Sequence, residues 1–346
     1  MRTLEWNDQD QSLQMIDQRI LPGQFELVTC RDYHQVAEAI QNMTVRGAPA
    51  IGVAAAYGMA MAAVRSKAND LETLRNDLNK AAEVLIASRP TAVNLAWGVQ
   101  HMLKVVQDSF LPVDKMVQKL VAEAKRLADE DVEIHRRIAQ FGETLIDDGD
   151  TIIHHCNTGA LATVDWGTAL GVIRMAHENG KKIQVLVDET RPRLQGERLT
   201  AWELQQYGIP YAIIPDNAAG YFLRKGEVQK VFFGADRVTA NGDVANKVGS
   251  YMLALAAHAN QVPVYSVFPT STVDLDLANG DLIPIEERDS DEVLGIRFHD
   301  QQVAPNGAAA RNPAFDVTPH HLLTGLVTER GIIRPPFNIN LKKAIL

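Results

Sequence analysis

Cysteine is scarce in this chain: its 346 residues include only Cys30 and Cys156. Two cysteines cannot build a framework of disulfides, which excludes the small secreted domains that depend on one. Because a reducing compartment keeps thiols free, we expect a cytoplasmic protein. At roughly 150 residues per domain, the length predicts about two domains.

Positive charge is also limited. Lys+Arg 34 against Asp+Glu 43 gives a formal net charge of −9 at pH 7. Proteins that bind nucleic acids carry a broad basic surface, because the phosphate backbone attracts Lys and Arg. We therefore expect no nucleic-acid partner.

Long apolar runs are few, and the first residues lack the basic and apolar regions of a signal peptide. One uncharged stretch, Gly47–Val64, approaches the length of a membrane span. It consists mostly of alanine and glycine and has few of the Leu, Ile and Phe that drive insertion. Since small side chains allow close packing, this stretch predicts a buried helix and no membrane association.

Two nucleotide-binding motifs are missing. The dinucleotide fingerprint G-x-G-x-x-G should follow the first strand of an α/β region, where His154–Leu161 contains a single glycine. The phosphate loop G-x-x-x-x-G-K-[ST] is absent as well. A nicotinamide dehydrogenase and a nucleoside triphosphatase are therefore disfavoured.

Beyond residue 150, short β-rich runs alternate with segments of helix length. This alternation predicts an α/β fold, a Rossmann-like, doubly wound parallel sheet with helices on both faces. Residues 1–125 differ, with three short β-like runs followed by apolar residues at helical spacing. We predict a smaller, mainly helical N-terminal domain with a short β-sheet (1–125) and a Rossmann-like C-terminal domain (126–346). The second domain has predicted strands at 151–155, 182–187, 211–214, 231–233 and 262–267, and predicted helices at 160–179, 199–207 and 244–259.

Polar residues follow four successive predicted strands. They form the groups Cys156–Gly159, Asp188–Arg191, Asp216–Asn217 and Gly234–Arg237. Ligands of open α/β sheets bind outside the carboxyl ends of the strands. Four clusters are more than loop capping explains, so the sequence predicts a catalytic or ligand-binding edge.

Two side chains at this edge are candidates for chemistry. Cys156 precedes the helix predicted from Gly159, whose first N–H groups would favour a thiolate; the alternative is a small buried side chain. The sequence leaves three roles open for Asp236. It could cap a turn, it could pair with Arg237, or apolar neighbours could raise the pKa of its carboxyl group so that it serves as a proton donor. Cys30 lacks such surroundings and is interpreted as structural.

Several residues suit an anionic, hydroxyl-bearing small molecule such as a sugar phosphate. Backbone N–H groups at a helix start, a glycine that permits close approach, and arginine forks all bind phosphate. Arg46, Gly47 and Ala48 precede or begin the predicted apolar helix, and Arg89 lies before Pro90 at a predicted helix break. Asn246 and Lys247 begin the helix that is predicted after Asp236. These candidates are Arg46, Gly47, Ala48, Arg89, Asn246 and Lys247.

His154 and His155 are adjacent, which raises the question of a metal site. Successive residues of a strand point to opposite faces, so the two rings cannot readily chelate one ion. No second Cys/His cluster follows at ligand spacing. We expect structural or supporting histidines and no metal.

Seven segments closely resemble the methylthioribose-1-phosphate isomerase family of methionine salvage. They are Thr44–Gly52, His155–Gly159, Asp188–Gly196, Leu199–Leu204, Gly234–Arg237, Asn241–Lys247 and Asn312–Pro319. The chain departs from the family pattern at Val164–Trp166, after Asp216, and at Val267–Thr270. These departures concern the exact substrate more than the reaction.

The resemblance implies an aldose–ketose isomerase that converts 5-methylthioribose 1-phosphate into 5-methylthioribulose 1-phosphate. It implies that Asp236 is the acid/base and that Cys156 acts near C2 of the sugar. It also implies a homodimer, and no metal or organic cofactor. Substrate-binding residues would be Arg46, Gly47, Ala48, Arg89, Gln195, Asn246 and Lys247.

Two alternatives stay open within the wider family. One is an isomerase of a related sugar phosphate such as ribose 1,5-bisphosphate. The other is a non-catalytic binding protein, similar to the regulatory subunits of a translation-initiation exchange factor. Members of that second branch need not keep both Cys156 and Asp236, whereas this chain has both.

Overall fold

The computed structural model describes residues 2–90, 92–107 and 109–345. Their contacts form two units. The first contains the chain up to Ile134 together with Gly159–Gly167, and the second contains His135–Thr158 and the chain from Thr168 onward. The boundary between residues 125 and 126 stays a prediction.

The first unit joins a small antiparallel sheet to a group of helices. The strands lie in the order β1-β2-β3, and each is antiparallel to its neighbour. The elements are β1 (Leu4–Asn7), β2 (Ser12–Ile16), β3 (Leu27–Cys30), α1 (Tyr33–Gln41), α2 (Ala48–Arg65), α3 (Leu71–Ser88), α4 (Val93–Gln107) and the first part of α5 (Val113–Glu143). The residues of α5 from His135 onward are assigned to the second unit. This is the mainly helical unit with a short sheet that the sequence predicts.

Helix α2 is the centre of the first unit. Among the described residues it alone is long and apolar enough to span a membrane, but 78% of it is buried within the protein. Glycines on both helices allow α2 to pack closely against α4. A Cβ atom on Gly52 of α2 would lie 2.9 Å from the carbonyl oxygen of Asn94, and one on Gly98 of α4 would lie 2.4 Å from the carbonyl oxygen of Gly52. Cys30 belongs to the same apolar core. The predictions of a buried helix and a structural Cys30 are confirmed.

The second unit is built on a seven-stranded sheet in the order β16-β15-β10-β7-β4-β5-β6. The six strands from β15 to β6 are parallel, and only the edge strand β16 is antiparallel to its neighbour. The elements are β4 (Thr151–His154), α6 (Ala169–Glu178), β5 (Gln184–Asp188), α7 (Ala201–Tyr207), β6 (Tyr211–Ile214), α8 (Ala219–Arg224), β7 (Lys230–Phe233), β8 (Arg237–Thr239), β9 (Val244–Lys247), α9 (Ser250–Ala259), β10 (Val264–Val267), β11 (Val273–Asp274), α10 (Asp291–Leu294), β12 (Arg297–Phe298), β13 (Gln301–Gln302), β14 (Phe315–Thr318), β15 (Gly325–Thr328), β16 (Gly331–Ile333) and α11 (Phe337–Ile345). The predicted Rossmann-like sheet is confirmed, and its five predicted strands correspond to β4, β5, β6, β7 and β10.

The helix predicted at 244–259 is wrong in its first part. Residues 244–247 form β9, which pairs with β8 and β14 in a second sheet of order β11-β8-β9-β14. Helix α9 begins only after Gly249, whose φ of +106° breaks the extended strand. Asn246 and Lys247 therefore lie on a strand and do not begin a helix.

The helix predicted at 160–179 is also shorter than expected. Ala160–Ala162 form a single 3-10 turn, and α6 begins at Ala169. Between them Trp166 and Gly167 both have positive φ angles, which no continuous helix contains. Cys156 therefore does not lie at the N-terminus of an α-helix, and the expected helix-start effect on its thiol is wrong.

Candidate active site

The strand order of the large sheet defines a switch point between β4 and β7. From β4 the chain winds outward through β5 and β6, and it then returns to the other side of β4 and continues through β7, β10 and β15. Ligands of doubly wound folds bind at such a reversal, outside the carboxyl ends of the strands. Cys156 follows β4 by two residues, and Asp236 follows β7 by three. The two residues therefore belong to the same edge, on the two strands that flank the switch point.

Cys156 is buried and is held through its backbone. Its N–H donates to the hydroxyl of Thr190 over 2.9 Å, and its carbonyl oxygen accepts a hydrogen bond of 2.7 Å from the hydroxyl of Thr200. Its φ angle is +70°, in the left-handed region that L-residues seldom adopt. The orientation of the thiol thus depends on a strained backbone fixed at both ends of the residue.

Gln195 lies beside the thiol. Its side-chain Nε2 is 3.6 Å from Sγ of Cys156, and the residue is only 7% exposed. Its Oε1 atom is buried and has no hydrogen-bond partner among the described residues. An amide oxygen of this kind can accept a hydrogen bond from a substrate hydroxyl, because an unpaired buried acceptor is unfavourable. The structure brings Gln195 and Cys156 together, as expected for two residues of one site.

Asp236 lies at the turn between β7 and β8. Its N–H donates to the carbonyl oxygen of Ala245 over 2.8 Å, which fixes the start of the hairpin formed by β8 and β9. Arg237 forms an ion pair with Asp274 at 3.6 Å. Asp236 is exposed, which does not fit the alternative of a carboxyl group enclosed by apolar walls. Its place is at the open edge of the sheet.

Asn246 and Lys247 are buried on β9. Nδ2 of Asn246 donates to the hydroxyl of Ser250 over 2.7 Å. Nζ of Lys247 donates to the carbonyl oxygen of Ala314 over 2.6 Å and lies 4.5 Å from the centre of the Phe315 ring. A cation held by a carbonyl group and an aromatic face keeps a fixed position.

Gly234 brings three of these segments together. A Cβ atom on this residue would lie 2.8 Å from the side-chain methyl of Thr158 and 3.7 Å from Oδ1 of Asn246. The loop after β4, the end of β7 and strand β9 therefore meet where only glycine fits. Asn246 belongs to the same edge as Cys156 and Asp236, although it comes from the smaller sheet.

His155 forms a buried ion pair behind Cys156. Its Nδ1 donates to Oδ2 of Asp188 over 2.8 Å, and its Nε2 donates to the carbonyl oxygen of Val248 over 3.0 Å. Burial alone would lower the pKa of His155, but the hydrogen bond and negative charge of Asp188 outweigh it and raise this pKa to about 9. Burial in turn raises the pKa of Asp188 above its usual value, against the opposing effect of His155. At neutral pH the pair is an imidazolium and a carboxylate.

The pKa of His154 is shifted in the opposite direction to that of His155. Its Nε2 contacts the hydroxyl of Thr158 at 2.8 Å, and its Nδ1 has no partner among the described residues. Complete burial, together with the positive charge of His155, lowers the pKa of His154 to about 3. At neutral pH the ring of His154 is therefore uncharged.

One group of side chains has the spacing of a metal site: His155, Asp188 and Asp216 place one potential ligand atom each within 4.8 Å of one another. Both ring nitrogens of His155 are already engaged, Nδ1 with Asp188 at 2.8 Å and Nε2 with the carbonyl oxygen of Val248 at 3.0 Å. The oxygens of Asp216 accept hydrogen bonds from the N–H groups of Thr190 and Arg191, each over 2.7 Å. The group is better explained as a hydrogen-bonded network.

The remaining candidates belong to the first unit. Arg46 and Gly47 precede α2, Ala48 is its first residue, and Arg89 follows α3. The N-cap residue of α2 is Gly47, which has no side chain to cap the helix, so the N–H groups of the first turn (Pro49 has none) suit an anion. Gly47 has a second reason to be glycine: its φ is +96°, and a Cβ atom would lie 2.3 Å from the carbonyl oxygen of Ala162.

Comparison with known proteins decides the family. The Initiation factor 2 subunit family matches residues 44–335. A methylthioribose-1-phosphate isomerase from Herpetosiphon aurantiacus is 50% identical over 100% of this chain and 96% of its own length. The chain belongs to the Initiation factor 2 subunit family, and within it to the methylthioribose-1-phosphate isomerases.

Solved structures agree with this family and fold. The 5-methylthioribose 1-phosphate isomerase from Pyrococcus horikoshii OT3 is 46% identical, with a TM-score of 0.93 over 99% of this chain and 95% of that one. A protein from A. fulgidus described as translation initiation factor eIF-2B, subunit delta, is 41% identical, with a TM-score of 0.91 over 100% of this chain and 99% of that one. The resemblance read from the sequence motifs is confirmed.

Sequence reasoning missed how the thiol is supported. Thr190 and Asp216 are among the polar residues that the sequence places at strand ends, but their hydrogen bonds to one another and to Cys156 have no sequence signature. Thr200 lies beyond any strand end, in a π-helical turn formed by Gly196–Thr200. Its one signal is its place in the matched segment Leu199–Leu204.

Proposed function

We propose that this chain converts 5-methylthioribose 1-phosphate into 5-methylthioribulose 1-phosphate, with Cys156 and Asp236 as its catalytic residues. The observation that carries the proposal is the position of these two residues on the strands that flank the switch point of the sheet. The high identity to methylthioribose-1-phosphate isomerases supports the choice of substrate.

The reaction is an internal transfer of hydrogen. Phosphate on the anomeric oxygen prevents formation of a free aldehyde, so the bond between C1 and the ring oxygen must break while that oxygen gains a proton. Hydrogen then moves from C2 to C1, and the 2-hydroxyl loses its proton as C2 becomes a carbonyl. The atoms balance without an external oxidant or reductant.

Two proton-transfer groups suit this reaction. Asp236 is the acid/base group, placed at the open edge where a ring oxygen can reach it. Cys156 acts near C2, and Nε2 of Gln195 at 3.6 Å can stabilise negative charge on its sulfur. The free Oε1 of Gln195 would accept a hydrogen bond from a hydroxyl of the sugar.

The phosphate is assigned to Arg46, Gly47, Ala48 and Arg89. The uncapped N-terminus of α2 supports this assignment, because helix-start N–H groups and arginine together bind phosphate well. Asn246 and Lys247 are assigned to the hydroxyls or the phosphate of the sugar. The contact of Lys247 with the carbonyl oxygen of Ala314 fixes the position of its positive charge, which suits an anionic substrate.

Incubation of purified protein with 5-methylthioribose 1-phosphate tests the activity. Phosphorus NMR should show the signal of the aldose phosphate replaced by that of the ketose phosphate. Ribose 1,5-bisphosphate in a parallel reaction tests the related-sugar alternative, and faster turnover of that compound would overturn the substrate assignment.

A regulatory binding protein is the second candidate function. It is favoured by the likeness to the A. fulgidus protein described as an initiation-factor subunit. Absence of turnover with both sugar phosphates, together with saturable binding of either, would support this candidate against the isomerase.

We also propose a cytoplasmic homodimer that takes a small sugar phosphate as its partner and binds neither nucleic acid nor membrane. The free thiols and the net charge of −9 support the compartment and the absence of a nucleic-acid partner. The family resemblance supports the dimer. Size-exclusion chromatography with light scattering gives the mass of the protein in solution. A mass of 38.1 kDa, that of a single chain, would contradict the dimer.

A further inference from the structure

The backbone of Cys156 is held in an unfavourable conformation by two hydroxyl groups. Thr190 accepts a hydrogen bond from its N–H, and Thr200 donates one to its carbonyl oxygen. Residues outside glycine that adopt a left-handed φ persist only where their surroundings determine them, and such strain concentrates at functional sites.

Thr190 is itself strained, with a φ of +62°. A β-branched residue in this region is a genuine outlier. Asp216 holds it there, since the two oxygens of this carboxylate accept hydrogen bonds of 2.7 Å from the N–H groups of Thr190 and Arg191. The hydroxyl of Thr190 also donates to the carbonyl oxygen of Asp188 over 3.0 Å, which leaves its oxygen directed at the N–H of Cys156.

These contacts run across three neighbouring strand ends. Asp216 follows β6, Thr190 follows β5 and Cys156 follows β4, and the three strands are adjacent in the sheet. Gly196 packs closely against the hydroxyl of Thr190, since a Cβ atom at this position would lie only 2.8 Å from it. The position of Asp216 is thus transmitted to the residue that carries the thiol.

The carbonyl side of Cys156 is fixed separately. The hydroxyl of Thr200 that donates to this carbonyl group also accepts a hydrogen bond of 3.2 Å from Nδ2 of Asn157, whose amide nitrogen donates to Glu203 over 2.8 Å. All four residues are buried. The peptide groups on both sides of the thiol are therefore each anchored by a threonine hydroxyl.

We propose that Thr190 and Thr200 are positioning residues that set the direction of the Cys156 thiol for the isomerase reaction. This proposal rests on the proposed function of Cys156. The hydroxyls act through the backbone of Cys156 and not on the substrate, so their loss should lower kcat and leave KM nearly unchanged.

The test compares Thr190→Val with Thr190→Ser. Valine keeps the branched shape and removes the hydroxyl, whereas serine keeps the hydroxyl and removes the methyl group. We expect Thr190→Val to lower kcat by roughly 10- to 100-fold, the size of effect that a small misplacement of a reacting group produces. Thr190→Ser should restore kcat to within about threefold of the original protein, and both variants should keep KM within about twofold.

A double-mutant cycle separates positioning from a general structural role. In a Cys156→Ser background, Thr190→Val should lower the residual turnover far less than it does in the original protein, because residues that act as one unit are non-additive. Equal effects in the two backgrounds, equal defects of the valine and serine variants, or an unchanged kcat in Thr190→Val would each overturn the proposal.

Thr200→Val and Thr200→Ser repeat the comparison from the carbonyl side, and they carry the test if Thr190→Val does not fold. The same measurements report on the proposed function independently. Full activity of Cys156→Ser would contradict the role of the thiol, whereas an inactive Cys156→Ser beside fully active Thr190→Val and Thr200→Val would contradict positioning alone.

Discussion

His154 and His155 are consecutive and both completely buried, yet at neutral pH the first ring is uncharged and the second is positively charged. The ring of His154 is neutral, with its pKa lowered to about 3 by burial and by the charge of its neighbour. The ring of His155 is an imidazolium, because Asp188 raises its pKa to about 9 in spite of burial. His154 therefore makes the free energy of unfolding depend on pH below neutrality, and His155 makes it depend on pH above neutrality.

This difference predicts the dependence of stability on pH. The folded His155 keeps its proton above the unfolded pKa of about 6.5, so its stabilisation is complete below that pH and is lost as the pH rises towards 9. His154 binds a proton less readily in the folded state than in the unfolded state, so its stabilisation is present above pH ~6.5 and is lost as the pH falls towards 3. Each residue contributes a slope of at most about 1.4 kcal/mol per pH unit to the free energy of unfolding.

Urea unfolding between pH 5 and 9 measures both slopes. His155→Gln should remove most of the decline on the alkaline side, while His154→Gln should leave that decline in place and reduce the decline on the acid side. If His155→Gln showed the same alkaline decline as the original protein, the imidazolium assignment would be wrong.

Asp236→Asn should lower kcat by roughly 10²- to 10⁴-fold with little change in KM. The amide keeps the size of the side chain but cannot transfer a proton, and general acid–base catalysis has this magnitude. Asp274→Asn is a matched control, because it removes a carboxylate that is paired with the adjacent Arg237. Near-normal turnover of Asp236→Asn would exclude its catalytic role.

Cys156→Ser should lose most activity at nearly constant volume. A hydroxyl is far less acidic than a thiol, whose ordinary pKa is about 8.5, so serine is a poor replacement in proton transfer. Cys30→Ala is the control, since Cys30 lies in the apolar core and burial raises its pKa to about 11. Steady-state kinetics should show a large loss only for Cys156→Ser, and an equal loss in both variants would indicate misfolding instead.

Lys247→Ala should raise KM more than it lowers kcat. The ammonium is assigned to substrate binding, and alanine also removes its contacts with Ala314 and the Phe315 ring. Lys247→Met retains much of the aliphatic chain and separates the packing contribution from that of the charge. An unchanged KM in both variants would contradict the assignment of Lys247 to the substrate.

Chelator treatment should leave turnover unchanged. The grouping of His155, Asp188 and Asp216 within 4.8 Å is the place where a metal would act, and their hydrogen bonds argue against one. Protein dialysed against EDTA should isomerise the substrate at its original rate. Loss of activity that zinc or magnesium restores would contradict a metal-free reaction and would make this group the first candidate for the metal site.

The strands and their polar ends were accessible from the sequence because parallel strands are short apolar runs followed by turn residues. The segment 244–259 was not, since only Val248 and Gly249 separate the strand that ends at Lys247 from the helix that starts at Ser250. Pairing with β14, more than sixty residues away in the chain, decides the strand. No local pattern contains that information.

The geometry of the site was accessible only in part. The sequence placed Cys156, Gln195 and Asp236 in matched segments, but left-handed φ angles at a cysteine and a threonine have no local signal. They follow from hydrogen bonds between separate strand ends, which form only once the sheet is assembled. The exposure of Asp236 is a similar case, because it depends on how the β7–β8 turn projects from the sheet.

The first unit is not a continuous stretch of chain, and this affects the order of events during synthesis. Its residues up to Ile134 are completed by Gly159–Gly167. That segment receives hydrogen bonds from Thr3 to Ala160 and Val164, and from Gln18 to Leu161. Domains commonly fold on the ribosome as they emerge. Here β4 and Cys156 must leave the ribosome before the amino-terminal residues Thr3 and Gln18 obtain these partners. The nascent N-terminal unit therefore completes its fold only after the first strand of the second unit has been made.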